Sequence, residues 1–326
     1  MRAPDSGQGG RTARSGARLA MAVAGLAGLA GLLFGVVIPA AGASAAASVP
    51  AVNGVRVIHN ITYTTGKCPH RGTQAEQADA YLPSPPPSPT VPAVILAHEG
   101  SFVHGDKTGA NIVSIAKDLA SDGWAAISIN YCLPPEGTAG YPVEVQNVET
   151  ALAFFSANAA TYGIDPSHMA LWGGSAGATL AVDAATLIGT HASAPSVAAA
   201  VGWSGGYDFL DGTGAHPQNI ASISNYLGCS AGTPPCEATE ASASAVTNVG
   251  ATTPPTFLAN STNELVPLNQ LTDMHDALTQ AQIPTQSLIM PGNKHAFAYK
   301  ATAYCPTVSF LETYLGQIQG TCVAPG

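Results

Sequence analysis

Charge is scarce in this 326-residue chain. Asp, Glu, Lys and Arg make up 10% of it, with 11 basic residues against 20 acidic and a net charge of −9. Nucleic acid and anionic lipid call for basic side chains gathered on one face. The balance here has the opposite sign, and both partners are set aside. No two cysteines stand as C-x-x-C, so the ligand spacing of a structural zinc site is missing, and no metal or other cofactor is expected. No unit repeats along the chain, and no twin arginine opens it.

The basic residues that do exist are unevenly placed. Arg2, Arg11, Arg14 and Arg18 precede an uncharged run over residues 19–38, which ends near AGASAAAS. This order predicts a secretory signal peptide over residues 1–47, cut near Ala45 or Ala47, and hence a secreted, extracellular domain over 48–326. The alternative is an uncleaved anchor, since about 20 apolar residues span a bilayer. Small residues at the cleavage positions favour removal, after which no stable membrane association is expected. Residues 1–47 hold four of the 11 basic and one of the 20 acidic residues, so the remainder carries −12.

All six cysteines lie in that remainder, an even count behind an export signal, which predicts three disulfides. Proximity in sequence pairs Cys229 with Cys236 and Cys305 with Cys322, leaving Cys68 with Cys132.

The body of the chain alternates. Strands are expected over 55–64 and 79–82, then an exposed Pro-rich turn, PSPPPSPT. Apolar strands over 93–98, 124–131, 169–173, 197–203, 255–260 and 285–290 are separated by helices over 112–120, 143–159, 176–188 and 268–281, with a last helix over 307–317. Uninterrupted apolar strands between helices predict an α/β fold, a mostly parallel sheet covered on both faces. The stretch 205–249 interrupts the alternation. It is rich in Gly, Ser and Ala and reads as a small lid segment over the C-terminal edge of the sheet.

The strand MALWG runs into GGSAG and then a small-residue helix. A core strand has no use for those glycines, whereas a tight strand-to-helix turn that lifts the Ser175 hydroxyl out of the chain does. The helix from Ala176 aims its free N–H groups and positive dipole end at the place where an oxyanion would form. A serine nucleophile needs a base. His295, in PGNKHAFAY after the last strand, stands in the position that follows from the chain order Ser, acid, His of this turn type. The acid belongs on STNELVPL. Counting from Pro255 gives Glu264, counting back from Val266-Pro267 gives Asn263, and a carboxylate suits an imidazolium better than an amide. Asp208, in GGYDF, is the reserve.

With these residues in place, the chain resembles the α/β-hydrolase esterases of the hormone-sensitive-lipase and acetyl-xylan-esterase/feruloyl-esterase-like groups. The likeness covers about residues 79–297. It includes GGSAG, INYCLPP, GGYDF and AHEGSFVHGDK, where those proteins show H-G-G-G-W followed by G-D-K. The resemblance implies an oxyanion hole from the N–H groups of Gly100, Ser101 and Ala176, and a structural role for His98. Glu99 and Ser101 stand where the family has glycine. A carboxylate at 99 is harmful to an oxyanion unless it is turned away or paired.

These readings predict a secreted serine carboxylic-ester hydrolase with Ser175, His295 and Glu264 as its triad. Its substrate would be a small-molecule or polysaccharide-linked acyl or aromatic ester. The alternatives are a serine exopeptidase of the same fold, from which the chain differs in lacking a propeller-sized N-terminal domain, and a hydrolase-like binding protein without activity.

Overall fold

A computed structural model describes residues 48–52, 54–190, 194–210, 217–316 and 322. The expected signal peptide, residues 1–47, lies outside them. The strands run β1 (Ser48–Val52), β2 (Val55–Cys68), β3 (Gly72–Pro83), β4 (Val91–Ala97), β5 (Ala125–Ile129), β6 (Ile164–Gly174), β7 (Ala199–Trp203), β8 (Thr256–Ser261) and β9 (Thr285–Met290). The helices are α1 (Ala110–Ser121), α2 (Val143–Ala157), α3 (Ala159–Tyr162), α4 (Ala176–Ile188), α5 (Pro217–Leu227), α6 (Glu237–Ala243), α7 (Ala245–Asn248), α8 (Leu268–Gln280) and α9 (Lys300–Leu315).

The strands form one sheet in the order β1-β2-β3-β5-β4-β6-β7-β8-β9. The pairs from β5 through β9 are parallel, and β1, β2 and β3 add an antiparallel edge. This is the mostly parallel α/β-hydrolase sheet. Its middle strands are largely buried, β5 and β7 at every position, β4 at all but Pro92 and β6 from Met169 onward, as a sheet with helices on both faces requires. Helix α4 is buried at every position except Leu187. Its Ala and Gly content lets it lie close beneath the strands.

Several boundaries differ from the sequence reading: β2 runs on to Cys68 rather than ending at 64, and β6 begins at Ile164 rather than at 169. Strand β3 begins at Gly72 rather than at 79, because GTQAEQ pairs with β2 in a half-exposed hairpin where no apolar alternation is required. Strand β1 lies ahead of the first strand expected from the sequence, at 55. Helix α9 begins at Lys300 and carries Pro306 inside it, where the sequence suggested a start. The missing proline N–H costs a helical bond. Burial of Ala303, Tyr304, Thr307 and Val308 on either side of it offsets that loss.

The three disulfides are Cys68–Cys132, Cys229–Cys236 and Cys305–Cys322. The first ties the end of β2 to the loop after β5, and the second closes the turn between α5 and α6. The expected lid segment holds α5, α6 and α7, with residues 211–216 outside the described set. The backbone N–H groups of Gly140 and Tyr141 both donate to the carbonyl of Tyr226, which fastens α5 to the core.

Candidate active site

Ser175 sits between β6 and α4 with φ of +53°, a conformation that costs an L residue on the order of 1 kcal/mol or more. The flanking glycines make that turn possible by close approach. A Cβ on Gly173 would lie 2.0 Å from the Gly177 carbonyl oxygen, and one on Gly177 would lie 2.3 Å from that of Ala97. The Ser175 N–H donates to Trp203 O at 2.8 Å, which fixes the turn against the end of β7.

The structure brings Ser175, His295 and Glu264 together at the C-terminal edge of the sheet. The Ser175 hydroxyl lies 2.8 Å from His295 Nε2, and His295 Nδ1 donates to Glu264 Oε2. The Glu264 side chain is 0% exposed and that of His295 is 25% exposed. A buried carboxylate needs its lone pairs filled. The other oxygen, Oε1, accepts the Ser261 N–H at 2.9 Å and the Ser204 hydroxyl at 2.7 Å. The two other acid candidates do not reach the histidine. Asn263 is exposed, and its N–H donates to Gly292 O. Asp208 turns back on its own loop and accepts the Leu210 N–H.

Ser101 and Ala176 line the same cavity as Ser175, and Gly100 lies one residue behind that wall. Ala176 is the first residue of α4, whose leading N–H groups have no acceptor within the helix. Ser101 takes φ of +53°, so it adopts the left-handed backbone that the family reaches with glycine. Glu99 is turned away. It lines a separate hollow with Asn111, whose Nδ2 donates to Glu99 Oε1 at 2.9 Å.

His98 packs rather than reacts. Its ring stacks on Tyr131 at 4.2 Å, and its Nδ1 donates to Glu99 O. Burial pushes the imidazole down to about 4, so it stays neutral near pH 7. His104 lies at the surface, 3.8 Å from Glu136. The loop that carries these residues is anchored by Lys107, which forms a buried ion pair with Asp79 at 2.8 Å. Burial alone would raise the Asp79 carboxyl. Hydrogen bonds from Lys107, Asn60 and His59, with the lysine charge, overcome that and hold it below its usual range.

The cavity at Ser175 is walled by Phe102, Phe209, Ile220, Ile223, Leu265 and Val266. Ile220 and Ile223 come from α5, so the segment expected as a lid supplies one wall. Several polar lining side chains are occupied by backbone groups. Thr179 accepts the Gly206 N–H, Gln270 accepts those of Tyr207 and Asp208, and Asn219 donates to Leu265 O. The wall is therefore more apolar than its composition suggests. Ser204 was missed in the sequence, where nothing sets this serine apart from the other small residues of GWSGG.

Comparison with known proteins agrees with this geometry. The chain is 30% identical over 243 residues to the probable carboxylic ester hydrolase LipM of Mycobacterium tuberculosis, covering 71% of this chain and 56% of that protein. It is 30% identical over 208 residues to esterase LipQ of the same organism, covering 61% and 49%. The chain thus spans about half the length of the curated relatives it matches. Among solved structures, a truncated carbohydrate esterase from gut microbiota superposes with a TM-score of 0.69 at 18% identity, covering 82% of this chain and 99% of that one. A bacterial heroin esterase gives 0.66 at 22%, covering 82% and 86%. At these identities the structures speak for the fold. Residues 78–278 match the BD-FAE family, and the chain belongs to this family of α/β hydrolases.

Proposed function

We propose that the protein is a secreted serine hydrolase of carboxylic esters. The observation that carries this reading is the continuous hydrogen-bonded line from the Ser175 hydroxyl through His295 to Glu264, opening on an apolar cavity. The esterase names of the relatives support it. In this reading Ser175 Oγ attacks the ester carbonyl carbon and His295 Nε2 takes its proton. Glu264 stabilises the imidazolium, and the N–H groups of Ala176, Ser101 and Gly100 receive the oxyanion. The C–O bond to the alcohol then breaks as His295 returns the proton to the leaving oxygen. Water repeats the sequence on the acyl-enzyme and frees the acid.

The apolar wall suits the acyl group. A sugar bearing the ester would lie toward the mouth, because the cavity's polar side chains are largely committed to backbone partners. An acyl or aromatic ester on a polysaccharide fits that division. The leader and the three disulfides support export.

A panel of p-nitrophenyl esters of increasing chain length, run beside aminoacyl-p-nitroanilides and fluorophosphonate labelling, tests the reading. Ester turnover with labelling at Ser175 is expected. Preference for the anilides would turn it into a peptidase, and neither turnover nor labelling would leave a hydrolase-like scaffold without activity.

A further inference from the structure

Ser204 is the first residue after β7, and its hydroxyl lies at the junction of the acid loop and the histidine loop. One hydrogen and two lone pairs are available there. The carboxylate can only accept and the peptide N–H can only donate. The hydroxyl hydrogen therefore goes to Glu264 Oε1 at 2.7 Å, and the oxygen accepts the N–H of Ala296, the residue after His295, at 2.9 Å. The Tyr299 hydroxyl lies 2.9 Å from the same oxygen and 3.0 Å from the Ala259 carbonyl oxygen. Ser204 is fully buried and its backbone is held at φ of +58°, where glycine would be at ease. Its own N–H donates to Ala259 O at 2.8 Å, on the strand that leads to Glu264.

We propose that Ser204 is a positioning residue for the acid–histidine pair. One hydroxyl fixes the Glu264 carboxylate and the His295 backbone together, so that Nδ1 and Oε2 stay in register while Nε2 faces Ser175. The backbone strain at 204 is consistent with a side chain kept for its hydroxyl. The inference rests on the esterase reading for its kinetic arm only.

Two variants test it. Ser204→Ala removes the hydroxyl and keeps the strain. Ser204→Gly removes the hydroxyl and relieves the strain, so it keeps its fold even where the alanine variant does not. Both are expected to lower kcat by about 10- to 100-fold, the rate equivalent of one hydrogen bond to a charged group, with KM within about twofold. Ser204→Cys, which keeps a weak donor, should recover part of the loss. A second readout does not need turnover. The proton between His295 and Glu264 should give a far-downfield NMR resonance in the unsubstituted protein, absent in His295→Ala. It should broaden or vanish in Ser204→Gly. If the unsubstituted protein turns over no ester, the esterase reading fails while the resonance still decides the role of Ser204. A glycine variant with unchanged kcat, or with an unchanged resonance where no turnover exists, overturns the proposal.

Discussion

Glu99 Oε1 accepts a 2.9 Å hydrogen bond from Asn111 Nδ2, at the start of α1. That single amide keeps a carboxylate, one residue before Gly100, directed into a hollow apart from Ser175. Asn111→Leu should free Glu99 to reach toward the oxyanion, and kcat should fall by about tenfold for each 1.4 kcal/mol of repulsion introduced. Adding Glu99→Gln to that variant should restore most of the rate. Steady-state kinetics of the single and double variants check this, and a double variant no better than the single one counts against the electrostatic account.

The acid is tested by three substitutions side by side. Glu264→Gln keeps the shape and removes the charge beside His295, so kcat should drop by roughly 10³- to 10⁴-fold with KM little changed. Asp208→Asn and Asn263→Ala should stay within a few-fold of the parent, because neither side chain approaches the imidazole. Collapse in Asp208→Asn with a near-normal Glu264→Gln would move the acid to the loop after β7.

The hydrolase sheet and the turn at Ser175 were legible because apolar periodicity and a Gly-x-Ser-x-Gly break are strong local signals. Glu264, which the structure places against His295, was preferred to Asn263 only on chemical grounds, since the spacing allowed either. What was not legible depends on partners far away in sequence. The helix around Pro306 is held by packing against the sheet, and the first half of β3 by its hairpin partner. The outward turn of Glu99 depends on Asn111, and the junction at Ser204 on two loops that arrive 60 and 92 residues later. A lone serine or asparagine leaves no periodic trace.

Asp183, on α4, accepts a hydrogen bond from Asn248 of α7 at 3.1 Å and is otherwise deep in the interface beneath the lid segment. Burial pushes its carboxyl up to about 8, against the Asn248 hydrogen bond and with the nearby Glu149 adding to the rise. Tyr141 and Tyr226 also feel its charge. In the unfolded chain the group titrates near 4. The folded protein therefore holds the proton across the interval that the unfolded chain has lost it, and this group's contribution lowers stability as pH rises from about 4 to about 8. Asp183→Asn removes that slope. Denaturant unfolding should show little difference at pH 4 and a gain on the order of 1 kcal/mol or more for the variant at pH 8. Parallel pH profiles for the two proteins would refute the assignment.

All six cysteines are paired among themselves, so the oxidised protein should show no thiol on titration after denaturation. The Cys68–Cys132 bond closes a separation of 64 residues. Replacing both cysteines by serine should cost roughly 4 kcal/mol by loop entropy, read as a lowered denaturation midpoint. Loss of Cys229–Cys236, which spans seven residues, should cost less and act chiefly on the wall made by α5.

The chain has three tryptophans, and Trp124, Trp172 and Trp203 are all fully buried. Trp172 and Trp203 meet edge to face at 4.9 Å on the strands that lead into Ser175 and Ser204, and Trp203 also meets Phe297, two residues past His295. Trp124 stands just before β5 at the opposite end of the sheet, so the intrinsic tryptophan fluorescence is a signal from the buried core, with two of its three sources behind Ser175 and none at the surface. Emission from the native state belongs at short wavelength and beyond the reach of iodide quenching. Any loosening of the turn at Ser175 should redden it before the outer helices are disturbed.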